Sequence, residues 1–224
     1  MSHSFMGEEN LRRLPIYLLL DCSGSMEGEP IMAVNEGMSI LYRELINNPR
    51  AVETAWICVI TFAEEASKYP LVPIDQFQPP LLAAGGGTPM GGAFRALADS
   101  IETDLLPNTR GSKGDYAPIV FFLTDGEPTD AYEVQLARLR ALQGNRSPTI
   151  IALGCGANVR TDVLHKVTDQ VYVMHEITSE RLRSFFRWVS GSIARVSVTI
   201  GNHGTASDVM PPPSIPGVDI SHPS

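Results

Sequence analysis

The sequence is short of cysteine, of positive charge and of long apolar runs, and each shortage removes a class of protein. Its three cysteines, Cys22, Cys58 and Cys155, have no short paired spacing, so neither a disulfide framework nor a zinc site follows. Cys58 and Cys155 lie in or beside apolar, strand-like runs, where a buried thiol behaves as a small hydrophobe. A reducing, cytoplasmic compartment is the expectation. Seventeen Lys and Arg against 25 Asp and Glu leave a net charge of -8, the wrong sign for gripping a phosphate backbone. The longest apolar run near the start, Pro15 to Leu20, is far too short for a signal-peptide core or a membrane span. The five histidines are scattered, with no pair at a helical metal-ligand spacing. Gly85 to Gly92 holds no lysine, which removes the P-loop reading of that glycine cluster.

What remains is an alternation of strands and helices. Pro15 to Leu20 reads as a buried parallel strand that ends abruptly at Asp21. Pro30 opens a helix to about Asn47, with Ile31, Val34, Met38, Leu41 and Leu45 on its apolar face and Asn47, Asn48 and Pro49 as the stop. Thr54 to Phe62 is a second buried strand, and Ala66 to Val72, interrupted by Pro70, an antiparallel edge strand. A helix from Thr88 to about Leu106 buries Phe94, Leu97, Ala98, Ile101 and Leu105. Ala117 to Leu123 is a further apolar strand, ending at Thr124 and Asp125. Asp130, with Glu133 three residues on, predicts a capping box for a helix to Leu142. Strands at Thr149 to Leu153 and Gln170 to Met174 flank a short helix, Val159 to Val167. A last helix, capped by Thr178 or Ser179, runs to about Ala194 with Leu182, Phe185, Phe186, Val189 and Ile193 inward. The pattern predicts an α/β fold: a doubly wound, mainly parallel sheet with one antiparallel edge strand and helices on both faces.

Residues 13–200 are expected to form this one domain. Residues 1–12 are an N-terminal extension, of which Met1 to Phe5 precede a second methionine, Met6, and are read as an appended remnant. Residues 201–224, with Pro211, Pro212, Pro213, Pro216 and Pro223, are expected to be a flexible proline-rich tail.

Three loops carry chemistry, each after a strand or before a helix on one rim of the sheet, where such sheets bind ligands. They are Asp21-Cys22-Ser23-Gly24-Ser25, Gly87-Thr88-Pro89 and Thr124-Asp125-Gly126. Magnesium takes six hard oxygen donors and keeps some of its waters, so one or two carboxylates plus hydroxyls suffice. Asp21, Ser23, Ser25, Thr88 and Asp125 are all oxygen donors. Spacing of two residues lets the first three project from one tight loop toward a common point.

The pattern Asp-x-Ser-x-Ser, then Gly-Thr before a helix, then Thr-Asp-Gly after an apolar strand, resembles the metal-ion-dependent adhesion site (MIDAS) of von Willebrand factor A domains. The match in order and spacing runs from about Leu14 to Val196. The resemblance implies a site holding Mg²⁺ or Mn²⁺, with Ser23, Ser25 and Thr88 as hydroxyl ligands and Asp21 and Asp125 as the carboxylates. It also implies a non-enzymatic adhesion or scaffold module in which an acidic group of a partner protein supplies the last oxygen. Within the family, Arg13 to Asp21, Gly85 to Thr88, Leu123 to Asp130 and the proline-rich tail resemble bacterial TerY-type proteins of tellurium-resistance and stress-response clusters. That finer resemblance implies a protein kinase and a metal-dependent protein phosphatase as partners.

Any one of the loops has a plainer account: Asp-x-Ser-x-Ser as a turn, Gly-Thr-Pro as a helix entry, Asp-Gly as a turn. Only the three together, in order, point to a metal. Glu27, Glu29 and Glu127 read as solvated acids near helix starts, Cys22 as a residue packed beneath the site, and Trp188 as core. Two other functions compete. A metal-dependent phosphoryl hydrolase would also begin with a strand ending in Asp21, but it needs an acid where Ser23 stands, and a lysine in a later loop. A scaffold with a structural metal would recruit partners through its proline-rich tail.

Overall fold

Every residue of Leu14–Asp21 is buried, which places this strand in the middle of a sheet covered on both faces. In the computed structural model, which describes residues 12–156, 159–201 and 215–223, this strand (β1) is followed by helices α1 (Glu29–Ile46) and α2 (Pro49–Thr54) and strand β2 (Ala55–Phe62). Next come β3 (Ala66–Lys68), β4 (Val72–Pro73), α3 (Met90–Asp104) and β5 (Ile119–Thr124). The series ends with α4 (Glu133–Ala141), β6 (Thr149–Cys155), α5 (Thr161–Val167), β7 (Val171–Met174), α6 (Ser179–Gly201) and β8 (Val218–Ser221).

The sheet runs in the order β3-β2-β1-β5-β6-β7-β8, with β4 also paired to β2. The five central strands are parallel, while β3 and β4 lie antiparallel to β2 and β8 antiparallel to β7. From β1 the chain builds one side of the sheet and then crosses to β5 on the other. The strand order therefore reverses between β1 and β5, and a crevice opens beyond their carboxyl ends.

Alternate residues of β1 point to opposite faces. Leu14, Ile16, Leu18 and Leu20 share one core with the inward residues of α1 and α6, whereas Tyr17 and Leu19 share the other with those of α3, α4 and α5. The expected apolar faces of α1, α3 and α6 are all buried, Trp188 among them. Thr178 caps α6, its Oγ1 accepting the Arg181 N–H at 3.3 Å.

Four local expectations are corrected. Asn48 and Pro49 end α1 but also start α2, because the Asn48 side chain accepts the Ala51 N–H at 3.1 Å. The expected edge strand is split at Pro70 into β3 and β4. Asp130 does not cap the helix that follows it: the N-cap of α4 is Tyr132, without a side-chain bond. Instead the Asp130 carboxylate accepts the Gly91 and Gly92 N–H groups at 2.8 and 2.9 Å, capping α3 from another loop.

The fourth correction concerns the tail. The expected flexible stretch 201–224 contains β8, so the sheet has antiparallel edges on both sides rather than one. Ile215 is buried in the core, the Asp219 carboxylate pairs with His175 at 3.3 Å, and Ser221 Oγ lies 3.0 Å from His165 Nε2. Gly217 takes a φ of 78° against the Arg181 guanidinium, a conformation and a closeness that suit glycine. Residues 1–11, assigned to the N-terminal extension, and 202–214 fall outside the described residues.

Helix α1 meets α6 at Gly37, where an added β-carbon would stand 2.1 Å from the ring of Phe186. That ring is itself buried, so it has little room to turn aside. Replacing Gly37→Val is expected to destabilise the fold by about 1–3 kcal/mol through overpacking, read as a lower urea midpoint at unchanged slope.

Candidate metal centre

Asp21 ends β1 with its side chain fully buried, 0% exposed. One carboxylate oxygen accepts the Ser23 N–H at 2.8 Å, which tightens the loop after the strand. The other accepts the Thr124 hydroxyl at 2.5 Å, joining the end of β1 to the end of β5. Thr124, also fully buried, thereby has a role that the Thr-Asp-Gly motif alone does not assign to it. Its only sequence signal was its place beside Asp125 at a strand end.

From this base the donors climb outward. Ser23 Oγ lies 3.0 Å from Ser25 Oγ, and Asp125 Oδ1 accepts from Ser25 at 2.8 Å and from Ser23 at 3.5 Å. Ser23 and Thr88 are buried, Asp125 is half-buried and Ser25 is exposed, so the group opens to solvent on the side of the two serines and Asp125. Thr88 joins it through Gly126, where an added β-carbon would stand 2.7 Å from Thr88 Oγ1. Only a residue without a β-carbon allows the Asp125 loop to come this close.

Backbone bonds hold the loops against each other. Gly24 N–H reaches Gly86 O at 3.0 Å, and Gly85 N–H reaches Cys22 O at 2.8 Å. Thr88 N–H reaches Thr129 Oγ1, and Thr129 N–H reaches Thr88 O, both at 3.0 Å. The structure therefore brings Asp21, Ser23, Ser25 and Asp125 into one hydrogen-bonded cluster with Thr88 at its border.

The acids around it are solvent-exposed, as expected, but not all unpaired. Glu29 accepts from the N–H and hydroxyl of Ser179 at the start of α6, and Glu127 pairs with Arg160 at 3.0 Å. Among the described residues no group of three or more His, Cys, Asp or Glu side chains is arranged for a metal. The rim cluster is of another kind, two carboxylates with three hydroxyls. Such all-oxygen, hydroxyl-rich sets suit magnesium or manganese better than metals that favour nitrogen and sulfur.

Burial pushes the Asp21 carboxyl above its ordinary value, opposed by the hydrogen bonds from Ser23 and Thr124 and reinforced by the charge of Asp125. Burial likewise raises Asp125, against its bonds from the serines. Cys22 is buried in the core, its Sγ 3.7 Å from Leu20 O, and burial lifts its thiol to about 12.

The sequence profile of the von Willebrand factor type A domain matches residues 16–187. The chain belongs to the von Willebrand factor type A family. No curated protein matches it. Solved structures similar to this vWA chain include a von Willebrand factor type A protein from Catenulispora acidiphila, with 20% identity and a TM-score of 0.60 over 82% of this chain and 43% of that one. The pilus adhesin SpaC from Lactobacillus rhamnosus GG shares 14% identity with a TM-score of 0.64, over 84% and 30% of the two chains. Proximal thread matrix protein 1 from the mussel byssus, with zinc in its MIDAS motif, shares 19% identity with a TM-score of 0.57, over 84% and 49%. The vWA chain spans less than half the length of these three proteins, and at such identities the likeness is one of fold. Domains of this family serve mainly as adhesion and scaffold modules. No helix among the described residues is long and apolar enough to cross a membrane.

Two outcomes follow for the metal-free protein. A carboxyl whose value is raised by folding is better protonated when folded, so its contribution to stability falls as pH rises above the ordinary value of 3.8. In EDTA, Asp125→Asn should therefore gain stability relative to wild type between pH 4 and pH 7; denaturant midpoints at each pH read this directly. All three thiols are buried. Ellman's reagent at pH 8 should react with none of them in native protein and with all of them in guanidinium.

Proposed function

We propose that this vWA domain is a divalent-cation-dependent protein-interaction module whose partner brings an acidic group to the rim. One observation carries the reading: Asp21, Ser23, Ser25 and Asp125 form one hydrogen-bonded group at the strand ends where the strand order reverses, and Gly126 lets Thr88 of a third loop approach it. Asp21 and Asp125 would neutralise most of the charge of a Mg²⁺ or Mn²⁺ ion, and Ser23, Ser25 and Thr88 would supply neutral oxygens. A bound cation of this kind adds a strongly polarising charge to which an oxygen from outside the protein can bond. The chain's own part is to hold the donors. Asp21 is pinned from both sides by Ser23 and Thr124, and the exposed Ser25 leaves the approach open. Metal held in the MIDAS of the mussel protein supports the reading.

The donor set argues against phosphoryl transfer. Ser23 stands where the hydrolase chemistry wants an acid, and it donates to Asp125 rather than standing free. We further propose a cytoplasmic setting, supported by three unpaired, buried cysteines. A role in a tellurium-resistance or stress-response cluster, with a kinase and a phosphatase as partners, rests on the TerY-like stretches Arg13 to Asp21 and Leu123 to Asp130.

Titration with Mg²⁺ or Mn²⁺ tests the centre of the proposal. At a free concentration a hundred times the dissociation constant, binding adds about 2.7 kcal/mol and should raise the melting temperature by about 5–10 °C in a domain of this size. Asp21→Ala should abolish the shift. Partner capture should then succeed with wild type in Mg²⁺ and fail with EDTA or with Asp21→Ala. Capture that is equal in all conditions would give the metal a structural role only.

A further inference from the structure

Thr88 is the member of the proposed donor set that comes from the loop before α3. It sits two residues before α3, a helix whose N-cap is Pro89, which makes no side-chain cap bond and is followed by no acid in the first turn. Its own segment supplies Thr88 O for the Met90 N–H at 2.8 Å. The acceptors for the next two free N–H groups come from the loop after β5. Asp130 takes the Gly91 and Gly92 N–H groups, one on each carboxylate oxygen. Thr129 closes a reciprocal pair with the Thr88 backbone, donor to acceptor in both directions.

The glycines around Thr88 fit this contact. A β-carbon on Gly87 would stand 3.0 Å from Thr129 Oγ1, and one on Gly91 would stand 2.4 Å from Ala131 O. The segment before α3 is thus shaped to the loop after β5, which also carries Asp125. We infer that Thr129 and Asp130 are positioning residues for the cation site: they clamp the Thr88 loop to the Asp125 loop, so that the two present their oxygens as one unit. Neither residue belongs to the donor set; each acts through Thr88. The inference rests on the cation reading above.

The test compares Mn²⁺ affinity, by titration calorimetry, with the melting temperature in EDTA. Thr129→Val keeps the shape and removes the hydroxyl, and Thr129→Ser restores it. Loss of partners that orient a metal ligand typically weakens binding about 10- to 100-fold. Thr129→Val should therefore weaken Mn²⁺ binding about tenfold or more, and Thr129→Ser should stay near wild type. Asn48→Ala, which removes the cap of the distant α2, provides a control that lowers stability alone and should leave the affinity unchanged. Should Thr129→Val fail to fold, Asp130→Asn takes its place with the same expectation. Wild-type affinity in the hydroxyl-free variant, or an equal loss in Asn48→Ala, overturns the inference while leaving the cation reading intact. A wild-type protein that binds no Mn²⁺ overturns both.

Discussion

The Asp21 carboxylate spans the gap between the first and the central strand, taking an N–H from Ser23 on one oxygen and the Thr124 hydroxyl on the other. A charge buried this deeply is unfavourable unless polar partners surround it, and here the partners come from both sides of the crevice. The arrangement ties the two strands together at the top of the sheet, just beyond the Leu20–Leu123 pair. The first loop tightens because its Ser23 N–H has an acceptor. The third loop starts where it does because Thr124 is held. Every other oxygen of the rim is placed relative to these two loops.

The second loop has a different origin. Its triple glycine has no apolar anchor of its own, and it is located by bonds to its neighbours: to Cys22 and Gly24 on one side and to Thr129 on the other. Small residues recur where loops must nearly touch. At Gly126 any larger residue would collide with the Thr88 hydroxyl. Gly87, Gly91 and Gly126 thus mark close approach between loops, while Gly86 also takes a φ of 73°.

The central strands and the position of Asp21 and Asp125 at strand ends were legible because their signals are local. Pro15 to Leu20 and Ala117 to Leu123 are apolar without alternation, which only strands covered on both faces can afford. A strand of that kind that stops at an aspartate or a Thr-Asp pair points its polar end at the rim. Asp130 was misread because its spacing from Glu133 looks the same whether the carboxylate caps its own helix or reaches another. The choice is made by Gly91 and Gly92, some 40 positions away in the chain. Strand β8 was missed because four residues among prolines carry too short a period to read. Its anchors, Ile215 in the core and side-chain contacts to His165 and His175, are all made at long range. Thr124 shows the same limit: a hydroxyl that supports a buried acid looks in sequence like any strand-ending threonine.

The two antiparallel flanks leave a sheet whose borders are poor templates for further strands. On one side the border strand breaks at Pro70 into pieces of three and two residues. On the other it is four residues long, carries the charged Asp219, and is soon followed by Pro223. Short, charged and proline-interrupted borders discourage neighbouring chains from stacking on by backbone pairing. Pairing of one sheet edge with another is then a disfavoured way for two such molecules to meet.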